Sequence, residues 1–175
     1  AILKGLRAQT GEDAAYIGVL DVLTEEGKRY FDSKNELDDL LSKELVSINW
    51  TENKISYWAR TMSMLGIIVA INSDSDGNYT HLLSLSQDLL LDLLRDSVSP
   101  NDPVKLQSVM NEFDENYLPV YATTNRDTVA SYFNTALSEA ESNDSIALRQ
   151  ASDFGGSVDI KGRGYTSLTL RVGGP

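Results

Sequence analysis

The sequence predicts an α+β fold, mostly helical, built as two small domains. Three features carry that expectation. Apolar residues recur at i, i+3, i+4 and i+7 in six segments of the chain, the spacing of an amphipathic helix. The strand-like runs between them are short, and the Asp-Gly pair in "NSDSDGN" marks one hairpin. Finally, "SPNDP" at residues 99–103 punctuates the chain near its middle, which places the domains at residues 1–100 and 101–175.

In the first segment, residues 13–30, Tyr16, Ile17, Leu20 and Leu23 fall at helical spacing. "RYF" then reads as a short strand. A capping box follows, with Ser33 as the cap and Glu36 three residues on, before Leu37, Leu40, Leu41 and Leu45 share a face. Thr51 caps a third helix, and Glu52 sits in its first turn, where negative charge suits the helix dipole. Ile55, Trp58, Ala59, Met62 and Leu65 lie on its inner face; Asn53, Lys54, Ser56, Tyr57, Arg60 and Ser63 lie on the outer one. Gly66 ends it, since glycine enters the left-handed conformation without steric cost. "IIVAI" and "YTHLLSL" are two strands around an acidic tip.

Three helices, a short strand after the first and a two-stranded hairpin after the third form an ordered pattern. In it, residues 12–85 resemble the winged helix-turn-helix superfamily, most closely at "NKISYWARTMSMLGII". The resemblance implies that this stretch is a recognition helix running into the first strand of a wing.

Beyond it, Leu89, Leu90, Leu91, Leu93, Leu94 and Val98 cover a broad arc of a helix, wider than one core stripe requires. A helix of that kind is usually covered on two sides. It is expected to lie between two domains or to form a seam with a second copy or partner protein through Leu90, Leu91 and Leu94. Asp102 and Pro103 read as the cap and first residue of the next helix. That helix carries Leu106, Val109, Met110 and Phe113, and "YLPVYA" is an extended connector. Residues 123–142 form another strong helix, with Val129, Phe133, Ala136, Leu137 and Ala140 inward and Arg126, Ser131, Asn134, Thr135 and Ser138 outward. "IALRQAS", "SVDIKGRG" and "YTSLTLRV" are strands, Val158 and Ile160 alternating on one side of a Gly-x-Gly turn. The second half therefore repeats the plan loosely, as a degenerate winged helix short of one helix, so that two winged helices stand in tandem.

Composition limits function. The chain has 175 residues, 41% of them hydrophobic, and a net charge of -11 from 15 Lys+Arg against 26 Asp+Glu. That apolar share builds a packed core. The acidic balance argues against a generic phosphate-coating surface but leaves room for a local basic one; it is also what a salt-rich cytoplasm favours. The absence of cysteine removes disulfide scaffolds, thiolate zinc sites and cysteine nucleophiles. The start "AILKGLRAQT", without Met, is read as a trimmed end or a fragment. No apolar run approaches the roughly 18 residues of a membrane span, so a cytoplasmic protein that does not enter membranes is expected.

Catalytic motifs are missing. His81 is the single histidine, with no G-x-S-x-G elbow, P-loop or dinucleotide fingerprint in the chain. Asn72, Asp74, Asp76 and Gly77 match the start of a calcium loop, but its twelfth position is Leu83 where a carboxylate is required. "DFGG" at Asp153 reads as a turn. No enzyme activity, metal or cofactor is expected.

Two readings remain open. In the first, the chain is a DNA-binding module of a transcription regulator, binding double-stranded DNA as a dimer. The resemblance then implies that Asn53, Lys54, Ser56, Tyr57, Arg60 and Ser63 face the major groove. Arg126 on the second helix face and Lys161, Arg163 and Tyr165 around a glycine turn would form a second, locally basic contact. In the second reading the chain is an acidic winged-helix adaptor that binds protein partners, using the leucine helix and an exposed aromatic such as Tyr57 or Tyr165.

Overall fold

The helical periods are realised as seven helices and eight short strands in a computed structural model describing residues 2–10, 14–32, 36–73, 79–122, 126, 128–150 and 155–171. Its contacts divide the chain into one unit of residues 1–84 and another of residues 85–175. The expected boundary at residue 100 falls instead just after the wing strand.

In the first unit α1 (Ile2–Arg7), α2 (Ala15–Glu25), β1 (Tyr30–Asp32), α3 (Glu36–Glu44) and α4 (Glu52–Met64) precede the hairpin β2 (Ile68–Ser73) and β3 (Tyr79–Leu83). The sheet runs β1-β3-β2, antiparallel throughout. Helix, strand, helix, helix and hairpin in this order, with the first strand paired to the last, make a winged helix. One sheet face turns inward: Phe31, His81, Ile68 and Leu83 are buried, and Phe31 stacks on His81 at 5.4 Å and tilts against Trp58 at 5.9 Å. Leu20 and Leu23 of α2, Leu37 and Leu41 of α3, and Ile55 and Met62 of α4 complete the core. The Trp58 indole donates to the Tyr16 carbonyl at 2.9 Å, tying α4 to the start of α2.

Thr51 accepts from the Lys54 amide at 3.3 Å, as a helix cap should. Ser33 and the hairpin tip at residues 74–78 lie outside the described residues. Helix α1 has no counterpart in the sequence reading, because six residues are too few to display a period. It is anchored by buried Leu3 and by the Arg7–Asp21 ion pair at 2.8 Å. At the end of α4, Gly66 has φ +76°; its amide donates to the Ser63 carbonyl at 3.0 Å and the Ile67 amide to the Met62 carbonyl at 2.9 Å. This paired closure satisfies the last carbonyls and turns the chain into β2.

The second unit repeats the plan in full. Its elements are α5 (Gln87–Ser97), β4 (Pro103–Lys105), α6 (Leu106–Asn116), α7 (Ser131–Ser142), β5 (Ile146–Arg149), β6 (Val158–Ile160), β7 (Arg163–Tyr165) and β8 (Ser167–Leu170). The sheet runs β4-β8-β5, so β4, β5 and β8 take the places of β1, β2 and β3. The β6–β7 hairpin is an insertion ahead of the last strand. Helix α7 ends as α4 does: the Asp144 amide reaches the Glu141 carbonyl at 3.0 Å, the Ser145 amide reaches the Ala140 carbonyl at 2.9 Å, and Asp144 has φ +58°.

Three expectations are corrected here. The second unit is not short of a helix: the leucine-rich α5 is its first helix, packed against α7. Gln87 donates to the Ser145 hydroxyl at 3.2 Å and accepts from the Asn143 amide at 2.7 Å, fixing α5 to the end of α7. Consequently Leu90 and Leu94 are fully buried in their own chain and offer nothing to a second copy, while Leu91 is only half-buried. Pro103 does not open a helix either. It begins edge strand β4, a place that tolerates its missing N–H, and α6 starts at Leu106.

Between α6 and α7 the connector at residues 117–121 is buried, and its polar groups are paired. The Val120 amide donates to the Asp114 carboxylate at 2.8 Å, and the Tyr132 hydroxyl donates to the Pro119 carbonyl. The Tyr121 hydroxyl donates to Asn111 and accepts from Gln107, each at 2.8 Å. Burial first, and the Asp114 charge second, push the Tyr121 phenol well above its ordinary value.

Two tests follow from these features. A side chain at a left-handed position costs about 1–2 kcal/mol, so Gly66→Ala should lower unfolding stability by that amount in urea titration. Asp144→Gly, at the matching position, trades that relief against an exposed ion pair with Arg171 and should stay within about 1 kcal/mol of the wild type. For Tyr121, the unfolded phenol loses its proton near pH ~10 while the folded one keeps it. Stability should therefore fall above that pH by up to about 1.4 kcal/mol per unit. Tyr121→Phe should remove one proton's worth of this slope; parallel slopes for the two proteins would refute the assignment.

Candidate interaction site

The outward face of α4 is the most developed surface of the first unit. Because Ile55, Trp58, Ala59 and Met62 take the inner stripe, the residues between them are driven outward. Asn53, Ser56, Tyr57, Arg60 and Ser63 are exposed, Lys54 is half-buried, and Met64 joins them at 82% exposure. Tyr57, Arg60 and Met64, at i, i+3 and i+7, run along one line of the helix. From Thr51 to Leu65 the charges are Glu52, Lys54 and Arg60, a net +1 in a unit where acidic side chains outnumber basic ones by five.

Tyr57, 68% exposed, stands between two concavities. One is a depression of about 280 Å³ bordered by Asn53, Ser56, Tyr57 and Arg60. The other is a pocket of about 250 Å³ lined by Tyr16, Ile48, Trp50, Lys54, Tyr57 and Trp58, with Ala15 at its edge. Its walls are fixed. Trp58 is held by Tyr16 through the indole bond already described, and Trp50 is 8% exposed. The Trp50 indole N–H is buried in this wall without a hydrogen-bond partner among the described residues. Leaving such a donor unsatisfied costs about 1–3 kcal/mol.

The sheet adds a second exposed apolar surface. Tyr30, Leu82 and Val69 are cross-strand neighbours in one row, on the face opposite Phe31 and His81. Tyr30 and Val69 are more than half exposed or at half, and Ile71, beside the bulge in β2, is equally open. In the second unit the matching row is Pro103, Thr169 and Ala147, which is small or polar.

The remaining candidates lie in the second unit, on the segment before α7 and on the β6–β7 hairpin, which the Thr128–Asp159 bridge brings alongside each other. Arg126 precedes α7 rather than riding on it, and its guanidinium is paired with Asp114 at 3.3 Å and Glu115 at 3.6 Å. Lys161, Arg163 and Tyr165 sit on the β6–β7 hairpin, where Lys161 and Gly162 both have positive φ and form a two-residue turn. The α7 face lacks cations. Its hydroxyls bond back to the helix: Thr135 to the Ser131 carbonyl at 3.0 Å, Ser138 to Asn134 at 2.8 Å and Ser142 to Ser138 at 2.8 Å.

Ile48 and Trp50, which complete the pocket, carried no sequence signal because they lie in a break between two helical periods. The one available hint was that both tryptophans of the chain fall within nine residues of each other. Among the described residues no helix is long and apolar enough to cross a membrane, and no cluster of three His, Asp or Glu side chains could hold a metal ion.

No family model matches the chain, and no curated protein matches it. Among solved structures the chain is similar to subunit VPS25 of the endosomal trafficking complex ESCRT-II, at 11% identity and a TM-score of 0.34, over 97% of this chain and 94% of that one. So slight a likeness carries no weight for fold or partner; the tandem winged-helix architecture rests on helix order, strand order and helix endings alone.

Proposed function

We propose that the chain is a binding module, not an enzyme, whose first winged helix engages a partner protein. The observation that carries this reading is the distribution of exposed apolar side chains. Ile2, Tyr30, Val46, Tyr57, Met64, Val69 and Ile71 are the large exposed ones among the described residues, and all belong to the first unit. Apolar surface gathered on one part of a molecule marks an interaction site. Each such side chain, fully buried by a partner, contributes about 1.5–3 kcal/mol, so two or three of them supply a useful affinity.

Charge weighs the other way for DNA. Firm DNA binders engage about 6–10 phosphates, whereas α4 brings Lys54 and Arg60 and α7 brings no cation. Arg126 is already engaged by two carboxylates. Lys161 and Arg163 are a real basic turn, but a hairpin with two cations gives weak, salt-sensitive contact at best.

The test compares the wild type with Tyr57→Ser/Met64→Ser, both positions exposed enough to leave the fold intact. A partner identified by cross-linking in native extract is purified and titrated against each protein, and a random duplex is titrated in parallel at low and molar salt. The expected result is at least about a tenfold loss of partner affinity in the double variant, with no salt-dependent duplex binding. Micromolar duplex binding at low salt that disappears in Arg60→Ala would overturn the reading in favour of DNA.

A further inference from the structure

We propose that the outer edge of β2 at Ala70 is a docking edge, where an extended segment of a partner protein joins the sheet of the first unit as a fourth strand. This rests on the adaptor reading and names the form its partner takes.

Backbone direction opens the edge. The Ser84 amide donates to the Ile67 carbonyl at 2.9 Å, whereas the Leu83 amide donates to the Arg29 carbonyl at 2.8 Å, on the β1 side of β3. An antiparallel ladder alternates, so Val69 turns its N–H and C=O toward β3 and Ala70 turns its own to the open side. β2 is the last strand in the order β1-β3-β2, and Val69, Ala70 and Ile71 are exposed.

The second unit shows the same edge closed. There the Thr166 and Arg171 amides donate to the Arg149 and Ser145 carbonyls at 2.9 Å, which turns Leu148 outward by the same rule. The Leu148 amide donates to the Glu141 carboxylate of α7 at 3.4 Å. Counted from Gly66 and Asp144, Ala70 matches Leu148 and Ser63 matches Glu141. The Ser63 side chain is two carbons shorter, and among the described residues no side chain bonds the Ala70 amide. Edge strands are commonly guarded by charge or proline; residues 61–73 contain neither. The bulge between Ala70 and Asn72 lies beyond the open amide.

The occupant follows from what can pair. An open N–H and C=O at strand spacing are met by another extended backbone. A second copy fits poorly. Two-fold pairing about Ala70 lays Asn72 of each copy against Ile68, which is 1% exposed and presents no open edge. A slide toward the hairpin end draws together two tips that each carry Asp74 and Asp76. A segment of a different protein meets neither restriction. It carries apolar side chains at alternate positions, because the row of Tyr30, Leu82 and Val69 borders the edge on one face.

The probes are two peptides with blocked ends, Thr-Val-Thr-Val-Thr-Val-Thr and Thr-Ser-Thr-Ser-Thr-Ser-Thr, titrated to millimolar concentration into the whole ¹⁵N-labelled chain. In the free chain the Ala70 amide should exchange with solvent faster than those of Val69 and Leu148. The valine peptide should shift the Val69 and Ile71 amides saturably and slow exchange at Ala70. The serine peptide should bind at least about tenfold more weakly. Ala70→Pro removes the N–H where an edge strand tolerates its loss, and Ser63→Glu supplies the bond that Glu141 makes in the second unit. Each should weaken the valine peptide at least about tenfold, with the amide spectrum of the core unchanged. Ser63→Lys, of similar reach but without an acceptor, should bind as the wild type does. Unslowed exchange at Ala70, or wild-type affinity in both Ala70→Pro and Ser63→Glu, overturns the proposal. So does a dimer in sedimentation that Ala70→Pro abolishes, which makes a second copy the occupant. If a protein partner loses affinity in Tyr57→Ser/Met64→Ser but not in Ser63→Glu, the adaptor reading stands and the docking edge falls. If no protein partner binds while the valine peptide still slows Ala70, the edge stands as a strand acceptor and the adaptor reading fails.

Discussion

The structure depends on how the third helix of each unit ends. In both units the chain leaves that helix and enters the sheet with three residues between, its last carbonyls satisfied. A residue in the left-handed conformation allows both. Gly66 provides it in the first unit and Asp144 in the second, each followed by the same pair of backbone bonds. From that point the first wing strand is aimed, the hairpin returns to the strand after the first helix, and the sheet closes over the core. The two units share this device although one uses glycine and the other a short polar side chain that tolerates the conformation.

That constraint also explains what could be read from the sequence. Gly66 after a capped amphipathic helix was visible, because glycine announces its conformational role, so the first unit was legible from its third helix outward. Asp144 announces nothing, and the second wing was correspondingly blurred. Its last strand, β8, pairs with β5 and β4 across an inserted hairpin, whereas local alternation suggested a simple turn around Gly162. Losing the sheet order meant losing the match between units. The breadth of the leucine-rich α5 suggests a place between two domains or a seam, but the helix is the first of the second unit, with Leu90, Leu93 and Leu94 buried and α7 packed against it. Surface residues followed a different rule. The outward residues of α4 could be named from period alone, but the pocket depends on Ile48 and Trp50, whose segment has no period.

Physical reasons for preferring protein over DNA are therefore local rather than compositional. Net charge by itself leaves room for a basic patch, and the patch exists on α4. What it lacks is number: two cations on the helix beside Glu52. Met64 is a poor phosphate ligand and, with the Tyr57 ring, a good apolar one.

The comparison of the two third helices sharpens this. They occupy the same place in the same topology, yet on α7 the hydroxyls of Thr135, Ser138 and Ser142 are bonded back to its own carbonyls, while α4, where Thr61 makes such a bond, also exposes Tyr57 and Met64. A hydroxyl that is already a donor to the helix has little left to offer a ligand. The sheets diverge in the same sense, with Tyr30, Leu82 and Val69 in the row where the second unit has Pro103, Thr169 and Ala147. Shared architecture therefore sets the matching positions, but not their exposure or chemistry: Val69 is half exposed where Ala147 is buried. Folding alone does not require that difference, since exposed apolar groups add little to the stability of the unit that displays them. The proposed function, a first unit that engages a partner, is one account of that difference.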